Sequence, residues 1–264
     1  MSSRRRRQAR DVVLLAATLA VAAAPLGHRT GLLPTGGALG LVAVALLPLL
    51  WALAAGLLRL ARGGLEQLDQ RTGAGLVLAA GASAIPIATV VLSIGAPAIH
   101  DITTDTEDPP RFEAIVAVRG SASNPIEYRG PALAATQRAA YPDIQPLVLA
   151  GNPGDLAEVA LAVVRELGWQ VVAAEPFGSE EIRDTGRGSR RASERYRGVT
   201  IEATATTFWF GFKDDVAVRL RSAGGAPGVT TVDVRSISRV GIGDLGANAA
   251  RIREFLDRLE AAVG

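Results

Sequence analysis

The chain has 264 residues, a formal net charge of +2, 48% apolar residues and no cysteine. Without cysteine there are no disulfide staples, thiolate zinc sites or cysteine nucleophiles, a composition compatible with an oxidising compartment. The length allows two units of ordinary domain size. The positive mean hydropathy is spread unevenly: residues 11–99 are almost free of charge, and residues 100–264 carry an ordinary soluble mixture. The bias toward Arg, Ala and Gly points to a GC-rich bacterial source.

A hydrocarbon core about 30 Å thick needs roughly 20 apolar helical residues. Three stretches meet or approach that length, at about 11–28, 37–60 and 75–99. None has an acidic or basic residue near its centre, where each would cost about 2.5–3.5 kcal/mol on insertion. Pro86 and Pro97 predict a kink in the third stretch, and Gly75, Gly81 and Ser83 suit close helix approach. Arg4, Arg5, Arg6, Arg7 and Arg10 precede the first stretch, and Arg59, Arg62 and Arg71 flank the loop between the second and third. Only His28 and Arg29 lie between the first and second. The positive-inside rule then puts residues 1–10 in the cytoplasm and residues 100–264 outside it, in a multi-pass protein of the inner membrane whose first partner is the lipid bilayer. The first stretch with Ala22-Ala23-Ala24 also fits a signal peptide, and its removal would leave two spans and the same outside placement. With no ionisable residue inside a span there is no ion path or proton relay. The spans read as an anchor, or as a packing partner for another membrane or envelope protein.

Residues 100–146 read as an extended irregular segment, broken by Pro109, Pro110, Pro125, Pro131, Pro142 and Pro146, with a short helix near 132–140. Regular structure is expected over 147–264. A strand at 146–149 leads to a turn with Asp155 as helix N-cap. Leu156, Val159, Ala160, Val163, Val164 and Leu167 then recur at helical spacing up to Gly168. Trp169–Ala174 reads as a strand. Val199, Ile201, Ala203 and Ala205 alternate with polar residues, as do Val216, Val218 and Leu220, and then Val232 and Val234. Gly224–Gly228 is a turn, and a last helix runs from Asp244 to about Ala262. Residues 176–197 interrupt this pattern with a charged, apolar-poor stretch, read as a flexible insertion. The order strand, helix, four strands, helix predicts an α+β domain with an antiparallel sheet and helices on one face. It is similar to the TATA-binding-protein-like and helix-grip folds, a likeness that carries no function.

Four strings carry a resemblance: His100–Phe112; Gln137–Pro146; Ile201–Asp215; and Asp233–Arg239 followed by Gly243–Asn248. Together they resemble bacterial proteins of Domain of Unknown Function family 1499 over residues 100–262. The resemblance implies N-terminal spans in many members and no known activity, cofactor or catalytic residue. The charged stretch 176–197 is longer than the family pattern.

Three groups carry site readings. His100, Asp101, Asp105, Glu107 and Asp108 place one imidazole and four carboxylates at the membrane exit. Such oxygen-rich clusters suit a divalent cation such as calcium or magnesium, without the spacing of an EF-hand loop. The plain reading is a polar segment that caps turns. Phe208-Trp209-Phe210-Gly211-Phe212, followed by Lys213, Asp214 and Asp215, reads first as core at a hairpin. It reads second as a ligand, partner or membrane-dipping surface. Arg219, Arg221, Asp233, Arg235 and Arg239 are expected on the sheet face away from Val218 and Val234, as a solvated salt-bridge ladder or an anion site. Asp214 or Asp215 with His100 is the one acid–base set in view. The hydroxyl residues come without a triad pattern, and interleaved charges with an outside placement argue against nucleic acid. The leading reading is a non-enzymatic envelope protein whose outer domain binds a partner protein, a lipid or a small ligand, with no cofactor. The alternative is a metal-dependent or enzymatic module on His100, Asp101, Asp105 and Asp108.

Overall fold

The computed structural model describes residues 3–63, 70–180, 195–223 and 228–264. The chain divides into two compact units, Met1–Ile94 with Phe208–Gly211, and Gly95–Thr207 with Phe212–Gly264.

The first unit holds α1 (Ser3–Arg29), α2 (Thr35–Gly63) and α3 (Gln70–Leu92), each long and apolar enough to cross a membrane. Leu14, Ala17 and Val21 recur on one face of α1 and meet Ala45 and Leu49 of α2 and Ala79 of α3. Most other apolar side chains, among them Val44, Leu47, Trp51, Val77 and Val90, point outward, as helices solvated by lipid require. Gly56 permits the approach of α2 and α3, since a Cβ there would lie 2.2 Å from Leu76. Pro25, Pro48 and Pro86 each lie inside a helix. The third helix stops at Leu92 rather than at the expected Ile99, because Gly95 takes φ +89° and Pro97 follows.

The second unit is α+β. Its elements are β1 (Asp101–Thr103), a 3₁₀ turn (Ala114–Val118), α4 (Pro131–Ala140), β2 (Leu147–Ala150), α5 (Pro153–Glu166), β3 (Gln170–Glu180), β4 (Arg195–Thr206), β5 (Lys213–Ser222), β6 (Val229–Ser238) and α6 (Ala247–Val263). All pairings are antiparallel, in the order β1-β6-β5-β4-β3, with β2 also on β6. The sheet therefore reaches back into residues expected to be irregular. Asp101–Thr103 pairs with Arg235–Ile237, and the buried Gln137 of α4 brackets this short strand. Its side-chain amide accepts from Thr103 N at 3.0 Å and donates to Thr103 O at 2.6 Å.

Alternation in the strands separates two faces. Ile201, Ala203, Val216, Val218, Leu220, Val232 and Val234 pack against Ala160 and Val164 of α5 and Ile252, Phe255 and Leu259 of α6. Phe255 stacks on Trp169 with ring centres 5.6 Å apart. On the other face, Phe112 and Ile115 cover Ala217 and Ile237.

Several boundaries move for local reasons. The N-cap position of α5 is Asn152 rather than Asp155, because Pro153 takes the first helical position. The last helix begins at Ala247 rather than at the expected Asp244, because Gly246 takes φ +84° and the Asp244 carboxylate instead accepts from Gly246 N at 2.9 Å and Asn248 N at 2.7 Å. β3 and β4 run on through Pro176–Glu180 and Arg195–Arg197, inside the stretch read as an insertion. The rest of that stretch, 181–194, and residues 224–227 of the expected Gly224–Gly228 turn lie outside the described residues.

Candidate functional site

The sheet face away from α5 and α6 carries Glu202, Thr204, Asp215, Arg219, Asp233 and Arg235. A strap of residues 104–128 lies over much of it. Arg235 and Asp101 form a bidentate pair at 2.9 and 2.8 Å, both side chains almost fully buried. The Arg235 guanidinium also donates to the carbonyls of Pro110 and Ile126 and lies over the rings of Phe112 and Tyr128. Asp215 accepts from Arg119, from Arg239 (2.8 Å) and from Thr204 (3.0 Å). Asp233 takes Arg219 at 2.9 Å and Arg221 at 3.0 Å on one oxygen, while its buried Oδ1 has no partner among the described residues. Arg219 and Arg221 reach on to Asp108 and Asp105. Glu202 receives the backbone N–H groups of Glu113, Ala114 and Ile115 at 2.8–3.0 Å, and so caps the 3₁₀ turn from below.

These groups are the strap's fastenings. Burial pushes the Asp233 carboxyl up, with Arg219 opposing it. Burial, helped by the nearby Asp101, pushes the Tyr128 phenol up to about 12. The Tyr128 hydroxyl has no hydrogen-bond partner among the described residues.

The site residues read from sequence separate in space. Arg219, Arg235, Arg239 and Asp215 share the strap face. Asp214 points to the opposite face and pairs with Arg251 of α6 at 2.6 Å, its carboxyl pushed up by burial against the pull of Arg251. His100 donates from Nδ1 to the Ile242 carbonyl at 3.0 Å, so the proposed acid–base set does not gather. Lys213 is exposed at the start of β5. Trp209 belongs to the helical unit, partly buried on its apolar cluster, while Phe208 is exposed and Phe210 buried. Asp101, Asp105 and Asp108 face arginines, Asp105 also accepting from the Glu107 and Asp108 amides. Among the described residues no group of three or more His, Asp or Glu is placed to hold a metal ion.

Sequence reading missed Glu202, Gln137, Arg119, Asn248 and Arg251. Asn248 is fully buried, donates to His100 O and Ser238 Oγ at 3.0 Å, and accepts from Ser236 and Arg251. The signal for Gln137 and Asn248 was a polar residue on the apolar face of an amphipathic helix.

One stretch of the strap face stays open. Beyond the strap's edge, a groove of about 450 Å³ is lined by Arg111, Glu113, Glu175, Phe177, Thr200 and Arg219, among others. Glu175, Thr200, Arg219 and Asp233 are successive cross-strand neighbours on β3, β4, β5 and β6. The Phe177 ring lies over Gly198, where a Cβ would come within 2.4 Å of it. The side chains of Arg111, Glu113 and Glu175 are exposed and make no hydrogen bond or ion pair among the described residues. A groove of similar size, about 480 Å³, lies beside Trp169, Arg251 and Glu254, but there Arg251 is held by Asp214 and Arg258 by Glu254.

A family model described as protein of unknown function, DUF1499, matches residues 101–259. Neither the curated proteins nor the solved structures give a match.

Proposed function

The chain belongs to the DUF1499 family, and from the geometry of its own residues we propose that it is a non-enzymatic binding module of the bacterial cell envelope. Its three apolar helices anchor it in the inner membrane. The arginines at 4–7 and 10 hold the N-terminus in the cytoplasm, and the family domain faces outside. The binding site is the groove at the open end of the strap face.

One observation supports this reading above the others. Beneath the strap the ionisable groups are matched inside the protein, whereas the side chains of Arg111, Glu113 and Glu175 have no partner among the described residues and line one groove around the Phe177 ring. Its volume is within the usual range for ligand sites, about 300–1,000 Å³. Two carboxylates beside an aromatic face suit a cationic group, and Arg111 supplies an anion contact at the rim. The occupant is a ligand or a partner segment bearing both charges.

The test is photo-crosslinking of the full-length protein in cells with benzoylphenylalanine in place of Phe177. A discrete adduct is expected that Glu175→Lys or Arg111→Glu removes, and that the same probe at exposed Glu158 of α5 does not give. Equal labelling at 177 and 158 would end the groove reading. A C-terminal alkaline phosphatase fusion checks the placement separately: it is active if the domain is outside, and inactive otherwise.

A further inference from the structure

Residues 241–246 link β6 to α6 and hold two apolar side chains in the open. Ile242 is 83% exposed and Leu245 56% exposed. The loop is fastened at Gly241, Ile242, Asp244 and Gly246. The Gly241 carbonyl accepts from Asn124 Nδ2 at 2.9 Å, and the Ile242 carbonyl accepts from His100 Nδ1 at 3.0 Å. Asp244 N donates to Ile99 O at 3.1 Å, and the Asp244 carboxylate caps the two backbone amides described above. Leu245 has φ +57°, the one non-glycine residue with positive φ among those described. An aliphatic residue in the left-handed region is strained, and such strain persists where the surroundings impose it.

The second observation is where this loop sits along the chain. Gly243 packs on the backbone of Ala98, at 3.1 Å from a built Cβ to Ala98 Cα, and Gly246 faces Ala96. Residues 95–99 are the first of the sheet domain after α3 ends at Leu92. The six-residue connection from Leu92 to Ala98 extends at most about 20 Å. Chain connectivity thus keeps Ala98, on which the loop packs, within about 20 Å of the end of α3, and Ile94 on that connection is itself exposed.

We infer that the 241–246 loop is a second membrane contact. Ile242 and Leu245 enter the headgroup and upper acyl region of the leaflet from which α3 emerges. This rests on the reading of the three helices as spans. Apolar side chains buried at the headgroup and acyl boundary hold a protein on a bilayer surface in proportion to the apolar area they bury. The hydrogen bonds to His100, Asn124 and Ile99 then fix the loop from behind, so that the Gly241 and Ile242 carbonyls and the Asp244 N–H stay paired while its tips leave water.

The test uses the full chain in lipid nanodiscs, where the lack of native cysteine makes single labels straightforward. An environment-sensitive fluorophore is attached to Ile242→Cys, to Val44→Cys on the outward face of α2, and to Glu260→Cys near the end of α6. Glu260 is about 20 Å along the helix from Ala247. Lipid carrying a doxyl quencher near the headgroup is then added. The label at 242 is expected to be blue-shifted and quenched roughly twofold or more over that at 260, as for a residue in the interface, with 44 buried in lipid. Quenching at 242 no greater than at 260, with 44 still in lipid, overturns the loop contact and leaves the anchor standing. A label at 44 that reports water overturns the anchor and the loop contact together.

Discussion

The two faces of the central sheet are built by the same strands and held by different physics. On the helix face, Ile201, Val218, Leu220 and Val234 bury apolar area against Phe255, Ile252 and Val164, and attraction there is non-directional. On the strap face, arginines and aspartates are buried under a segment with almost no regular structure of its own. There the order comes from directed bonds: Arg235 alone ties Asp101, Pro110 O and Ile126 O to β6. A helix can be held by its stripe, but an irregular segment presents no periodic stripe and must be fastened point by point.

Single substitutions should hurt both faces, and paired ones should tell them apart. Phe255→Ala removes a fully buried ring stacked on Trp169, and about 3–5 kcal/mol should be lost in denaturant melts. Arg235→Met strands a buried carboxylate and should cost a similar amount, about 3–5 kcal/mol. Adding Asp101→Leu to Arg235→Met should restore most of that loss, since a buried pair replaced by apolar side chains is often neutral. No second change of this kind rescues Phe255→Ala. Recovery absent from the double variant would mean that the strap depends on the carbonyl bonds of Arg235 rather than on its charge pair. Glu202→Gln should cost less, about 1–3 kcal/mol, by weakening the cap on three backbone amides, read as faster hydrogen exchange at 113–115.

Asp233 sharpens the comparison through pH. Its folded carboxyl binds a proton at higher pH than in the unfolded chain. Its contribution is therefore complete below the unfolded value and is lost as pH rises through the folded one. Mild acidification is therefore expected to raise the melting temperature, and Asp233→Asn should flatten that rise. If the rise is unchanged, another buried group such as Asp214 carries it. The smallest effect expected is at Tyr128, whose hydroxyl is buried without a partner. Tyr128→Phe should be neutral or stabilise by up to about 1 kcal/mol, read by the same melts.

Much of the helix face was legible, because Val216, Val218 and Leu220 alternate with polar residues and α5 and α6 repeat at helical spacing. Alternation also put Arg219, Asp233, Arg235 and Arg239 on the opposite face. What it could not supply was the cover. A ladder read as solvated is buried because residues 104–128 fold back over it, and pairings such as Arg119 with Asp215 join positions far apart in sequence without period. The strand at Asp101–Thr103 was hidden for the same reason, being three residues long and defined by its partner on β6. The groove was illegible because it exists only where the cover stops.

The outermost strand, β3, has a free long edge among the described residues. Copies of a protein confined to one bilayer meet in two dimensions, and an open row of amides and carbonyls would let neighbours zip together into a continuous ribbon. The β3 edge is spoiled for that purpose. Its register breaks between Val171 and Ala173, and Pro176 withholds a donor further along. A neighbouring strand laid against it would find matched groups over only a few residues at a time. The irregularities of β3 thus limit the length over which a second strand could pair along this edge.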